Sequence, residues 1–146
     1  MLVQNQGKNT EALGKVLLKE KGLKQTQLRI ELIEHFNSAM HAQSYSDLKQ
    51  AMVKNVDKST LYRNLATFEE VGLIHSINDH SGVTKYAKGA SPNSGQSHAH
   101  FVCDSCETVY CMKGKSELKY EVPQGFTPRN VQTIIRGNCA NCESSR

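Results

Sequence analysis

The chain has 146 residues, a formal net charge of +4, 38% hydrophobic residues, five cysteines and no tryptophan. That length suits one compact domain or two small ones, and small domains bury too little surface to be stable without a metal staple or a dimer interface. No apolar run approaches the roughly 20 residues of a membrane span, and the opening MLVQNQGKNTEALGK is too polar for a signal peptide, so the cytoplasm is the expected compartment.

In chain order, EALGKVLLKEKGL (11–23) has helical periodicity and stops at Gly22. TQLRIELIEHFNSA (26–39) opens on Thr26 as an N-cap and presents Leu28, Ile30, Leu32, Ile33 and Phe36 as an apolar side. SYSDLKQAMV (44–53) predicts a short third helix, capped by Ser44 with Asp47 three residues on. In DKSTLYRNLATFEEVGLI, Asp57 or Ser59 caps a helix whose Leu61, Leu65 and Phe68 face a core, ending before Gly72. LIHSINDHSGVTKYAKG alternates on both sides of the turn-forming DHSG (79–82) and predicts a β-hairpin.

Short helices followed by a hairpin give the order of a winged helix-turn-helix, with 57–70 as recognition helix and the hairpin as wing. GASPNSGQS (89–97) is small, polar and turn-rich. It divides a winged-helix domain (1–89) and a linker (90–97) from a C-terminal metal-binding domain (98–146). There, HFVCD and ETVYCM are strand-like about a turn holding one CxxC, and VQTIIRGNC (131–139) is a strand leading into a second. KSELKYEVPQGF between them holds a short helix or irregular structure, since Pro123 and Gly125 oppose a long one. The fold class is α+β: an N-terminal winged helix-turn-helix plus a small C-terminal α/β domain.

All five cysteines lie in the last 44 residues, as CDSC (103–106), CANC (139–142) and Cys111. An odd number in a chain without an export signal argues for metal rather than disulfides. Each CxxC supplies half of a tetrahedral site, so Cys103, Cys106, Cys139 and Cys142 form a four-thiolate structural Zn2+ site that staples a small domain. Strand parity sends His98 and His100 to one face and Cys103 to the other, so HAH belongs to a second site. Cys111 on the returning strand and His75 at the start of the wing complete a regulatory set of His75, His98, His100 and Cys111 that would join the two halves of the chain. A thiolate beside imidazoles favours Zn2+ there, with Fe2+ or Mn2+ as alternatives. His41 is a further donor candidate, whereas turn or surface positions account for Asp79, His80 and Glu117.

Residues 1–89 carry twelve Lys/Arg against nine Asp/Glu, which permits nucleic-acid binding without requiring it. Lys58, Ser59, Thr60, Tyr62, Arg63 and Asn64 cluster towards the N-terminal end of the recognition helix. Hydroxyls and Tyr62 suit the DNA backbone, and Arg63 or Asn64 suits base edges. Lys85 on the wing and Arg29 on the second helix are expected phosphate contacts.

LKQTQLRIELIEHF, STLYRNLATFEEVGLI, the Gly82/Tyr86 wing, HAHFVCDSC and GNCANC together resemble the ferric uptake regulator family, over about residues 11–142. The resemblance implies a homodimeric, metal-dependent transcription factor that binds operator DNA and usually represses when metal is bound. It matches Cys103, Cys106, Cys139 and Cys142 to structural zinc ligands, Thr60, Tyr62 and Arg63 to the recognition segment, and His98 and His100 to the regulatory HxH. His75 matches a sensor histidine of zinc-uptake regulators, and Cys111 stands where many members have a carboxylate. Ala87 replaces an acidic residue after the wing aromatic, Val131 replaces a histidine, and His41 is shifted one place from its common position. These departures weaken an iron or peroxide assignment. The expected function is a zinc-responsive repressor of metal-homeostasis genes. The alternatives are an iron- or peroxide-responsive regulator of the same fold, or a zinc-stapled protein-interaction module. With no HExxH and no glutamate placed as general base, an enzyme is not expected.

Overall fold

The computed structural model describes residues 3–79, 81–89, 99–112, 121–128 and 131–145. The expected linker (90–97), His98, His80 and Glu117 lie outside these residues, as does the first half (115–120) of the segment expected to hold a short helix or irregular structure.

Four helices open the chain: α1 (Val3–Glu20), α2 (Gln27–Ser38), α3 (Tyr45–Ala51) and α4 (Lys58–Glu70). The first begins well before the periodic segment that predicts it. Thr26 caps α2 by accepting from the Arg29 N–H at 3.4 Å. Ser44 and Asp47 form a reciprocal capping box at α3. Asp57 is the N-cap residue of α4, but its carboxylate accepts from the Thr60 hydroxyl at 2.7 Å rather than from a helix N–H.

These helices close on one core in which Leu18, Leu32, Leu48, Leu61, Leu65 and Phe68 are fully buried. Each such side chain stabilises the fold by roughly 1.5–3 kcal/mol through removal from water. Strands β2 (Ile74–Ile77) and β3 (Lys85–Lys88) pair antiparallel as the wing, with His75 opposite Ala87. A two-residue strand β1 (Gln43–Ser44), too short to carry a sequence pattern, adds to β3 and makes a sheet of order β1-β3-β2.

The second sheet has order β5-β4-β6: β4 (Ala99–Cys103), β5 (Val109–Cys111) and β6 (Thr133–Gly137). β4 and β5 form the expected hairpin, whereas β6 runs parallel to β4. The second CxxC leads into a short helix α5 (Ala140–Ser144).

The two sheets meet through Ile77 and Ala87 of the wing, Val102 and Val109 of the second sheet, and Ala42, with Ile134 packed against them. The Ala42 N–H donates to the Val109 carbonyl at 2.8 Å across the same junction. β2 is therefore covered on both faces: Ile74 joins the helical core, while Ile77 faces the second sheet. That sandwiching brings His75 of the wing against β4 and β5. No helix among the described residues is long and apolar enough to cross a membrane.

Candidate metal centres and nucleic-acid interface

The fold places one CxxC on the turn between β4 and β5 and the other at the start of α5. Cys103 ends β4, and its N–H donates to the Thr108 carbonyl as the chain reverses into β5. Glu107 takes a positive φ of 60° within that reversal, a conformation uncommon for a residue with a side chain. Cys139 is the N-cap residue of α5, so Cys142, three residues on, lies on the same side of its first turn. The Asp104 N–H donates to the Gly137 carbonyl and the Cys139 N–H to Cys103 Sγ at 3.3 Å, which joins the two motifs.

All four Sγ atoms consequently lie within 4.8 Å of one another, with Cys106 and Cys139 3.8 Å apart. Tetrahedral zinc with Zn–S bonds of about 2.3 Å sets sulfur atoms about 3.8 Å apart, so the cluster fits that ion. Backbone N–H donors, first that of Cys106, hold the Cys103 thiol down at about 6. The Thr108 hydroxyl and N–H lower Cys106. Cys142, which shares protons with Cys139 and the other two sulfurs, is pushed up to about 12. Crowded thiols thus release some protons easily and retain another, and a dication relieves that conflict by binding all four as thiolates.

The second cluster draws on both sheets. Cys111 is the direct β5 partner of His100 on β4, so the two side chains share a face. His75 approaches from the wing: its Nε2 lies 3.1 Å from His100 Nε2 and 3.9 Å from Cys111 Sγ. Both histidines are 1% exposed. His75 Nδ1 lies 3.1 Å from the Gly89 carbonyl and donates to it, which orients the ring with Nε2 towards His100 and Cys111. Ideal zinc bond lengths put two nitrogens about 3.3 Å apart and nitrogen from sulfur about 3.6 Å, close to the distances here. Burial raises the Cys111 thiol above its ordinary value, so a metal bound there would have to expel a proton from it.

His75, His100 and Cys111 are thus brought together, separately from the four cysteines, as parity requires of His100 and Cys103. His98, the fourth expected ligand, lies outside the described residues. His41 joins neither cluster: its Nδ1 lies 2.9 Å from the Ala42 carbonyl and its ring packs edge-on to Tyr110.

On α4, Lys58, Ser59, Tyr62 and Arg63 are exposed, while Thr60 and Asn64 are half-buried. Arg29 Nε donates to Asn64 Oδ1 at 2.9 Å, and Asn64 Nδ2 donates to the Thr60 carbonyl at 2.8 Å. Asn64 is thereby held as a brace between α2 and α4, whereas Arg63 is exposed. Arg29 also reaches the Lys24 carbonyl. Lys85, expected on the wing as a phosphate contact, turns inward instead: its ammonium lies 3.5 Å from Asp79 Oδ2 and donates to the Glu107 carbonyl, with the side chain 12% exposed.

Asp79 is not the surface turn residue its sequence context suggests. It is 2% exposed, accepts from the Ser81 N–H and hydroxyl, and its carbonyl accepts from Arg136 of β6 at 2.6 Å. Lys85, Asp79 and Arg136 therefore clamp the wing to the second sheet. The Tyr45 ring stacks on that of Tyr62, a contact with no counterpart among the sequence expectations. Neither feature has a local signal, because both depend on how separate elements pack.

Residues 20–134 match the model of the ferric uptake regulator family. The ferric uptake regulation protein of Campylobacter jejuni is 33% identical over 141 residues, covering 90% of this chain and 87% of that protein. The peroxide operon regulator of Bacillus subtilis is 24% identical over 132 residues, covering 86% and 88%. Among solved structures, a zinc uptake regulator complexed with zinc and DNA shares the fold, with a TM-score of 0.64 and 20% identity over 94% of this chain and 95% of that one. The chain belongs to the ferric uptake regulator family of metal-dependent transcription regulators and is not an enzyme.

Proposed function

We propose that the chain is a zinc-responsive repressor of metal-homeostasis genes, acting in the cytoplasm as a homodimer on duplex operator DNA. In this reading residues 1–89 bind DNA, 90–97 link, and 98–146 bind metal and dimerise. Cys103, Cys106, Cys139 and Cys142 hold a structural Zn2+, and His75, His98, His100 and Cys111 hold the sensed one.

The observation that carries the choice of zinc is the Cys111 thiol, which meets His75 and His100 at the junction of the two sheets. A thiolate beside two imidazoles suits Zn2+ better than Fe2+ or Mn2+, which favour carboxylate oxygen. No Asp or Glu joins this cluster among the described residues. Because His75 belongs to the wing and the other two ligands to β4 and β5, the ion would fix the orientation of one sheet on the other. In a dimer that orientation sets the spacing of two recognition helices against two half-sites. Lys58, Ser59, Thr60, Tyr62 and Arg63 then meet the duplex, with Arg29 beside them.

The test is enrichment of a duplex from a random library by the zinc-loaded protein, followed by titration at several salt concentrations. Binding should be lost when zinc is withdrawn from the second site and should weaken steeply with salt, as phosphate contacts release counterions. Recovery of binding with Fe2+ or Mn2+ but not Zn2+ would overturn the zinc reading.

A further inference from the structure

We propose that Tyr45 is a positioning residue for DNA recognition, holding Tyr62 and Lys58 as one rigid unit against a sugar–phosphate strand that runs between α4 and the wing turn. The inference rests on the DNA-binding reading above and adds a residue to it.

Tyr62 stands on the outer side of α4 and is 41% exposed. An exposed tyrosine samples several rotamers, and freezing it on binding weakens association. Tyr45 removes that freedom in advance. The two rings are 4.8 Å apart between centroids and 9° from parallel, an offset stack. Lys58 Nζ lies 6.0 Å from both ring centroids, at the limit of a cation–π contact. Tyr45 is itself fixed as the first residue of α3, directly after the Ser44 capping box.

The stack faces a groove. Tyr45 and Tyr62 line it with Ser44 and Ser46, and Gly82, Val83 and Thr84 of the wing turn complete it. Hydroxyl groups dominate its polar lining, no carboxylate is among the lining residues, and Lys58 sits beside it. Hydroxyl donors, an ammonium and aromatic edges suit the phosphate oxygens and deoxyribose of a single strand of a duplex. Tyr45 makes no ionic contact in this arrangement. Its effect should therefore appear in binding to a chosen sequence, where Tyr62 and Arg63 must be placed accurately, more than in non-specific binding, which is mainly ionic.

The test uses the zinc-loaded full chain, a duplex it enriches from a random library, and a shuffled duplex of equal length. Tyr45→Ala should bind the enriched duplex about 3- to 10-fold more weakly and the shuffled one within about twofold. Tyr45→Phe, which keeps the ring and loses the hydroxyl, should bind both like the parent. If Tyr45→Ala fails to fold, Tyr45→Leu carries the same expectation, since it fills space without a π face. Unchanged binding of the enriched duplex overturns the inference. So does an equal loss on both duplexes, or a loss with Tyr45→Phe as large as with Tyr45→Ala. Failure of the parent chain to enrich any duplex overturns the DNA-binding reading itself.

Discussion

Replacing Lys85 by methionine keeps the apolar stem of the side chain and removes the cation that joins the wing to the second sheet. In the native chain the Lys85 ammonium lies 3.5 Å from Asp79 Oδ2, with side chains 12% and 1% exposed, and it donates to the Glu107 carbonyl on the β4–β5 turn. An exposed pair of this kind contributes roughly 0–1 kcal/mol, whereas breaking a fully buried one costs about 3–5 kcal/mol. This pair falls between those limits. After the substitution Asp79 keeps the Ser81 N–H at 3.0 Å and hydroxyl at 2.6 Å. Burial alone would raise the Asp79 carboxyl. The Ser81 donors and Lys85 outweigh burial and lower it, so the group stays ionised at neutral pH and is left without its cation. Together these effects put the loss at about 2 kcal/mol. For a chain of this size that is a fall in Tm of roughly 4–8 °C. The Asp79 contribution is present above the unfolded carboxylate value and is lost only as pH falls through the lowered folded one, so the deficit should be equal at pH 6 and pH 8. Thermal and urea denaturation of the zinc-loaded protein measure it, and a cycle with Asp79→Asn isolates the pair. A deficit below about 0.5 kcal/mol, or strict additivity with Asp79→Asn, would refute the pairing of Lys85 with Asp79.

Two further outcomes concern the metal sites. Because burial keeps the Cys111 thiol protonated above its usual value, zinc uptake at the second site should release that proton. Its affinity should rise about tenfold per pH unit between pH 7.5 and 8.5, and Cys111→Ser should flatten the slope, as read by competition with a chelator. Cys106→Ser should lower zinc content by one ion per chain and expose the amides of β4 and β5 to hydrogen exchange, since structural zinc contributes on the order of 10 kcal/mol to such sites. Retention of the full zinc content, with protected amides, would show that the four cysteines do not share an ion.

Much of this molecule is legible in its sequence because the relevant signals are local. Thr26 and Ser44 cap the helices they precede, and Leu61, Leu65 and Phe68 recur at helical spacing on the buried side of α4. The two CxxC pairs and the parity of His100 against Cys103 point to the two separate donor clusters. What escapes is non-local. β1 is two residues long and exists only because β3 offers it an edge. β6 joins β4 in parallel, although its sequence fits either direction. Asn64 and Lys85 read as DNA contacts because both are polar and near the recognition surface, yet Arg29 engages one and Asp79 with Glu107 the other. His75 is recognisable as a donor by position, but its approach to His100 follows from Ile77 and Ala87 packing on Val102 and Val109.

The identity of the second metal is tested most directly by anomalous scattering from crystals of the purified protein, collected across the zinc, iron and manganese edges. Zinc is expected at both positions. At the second it should lie about 2.3 Å from Cys111 Sγ and about 2.0–2.1 Å from the Nε2 atoms of His75 and His100. Iron or manganese at that position, or zinc there without a bond to Cys111, would contradict a zinc-responsive regulator built on this site.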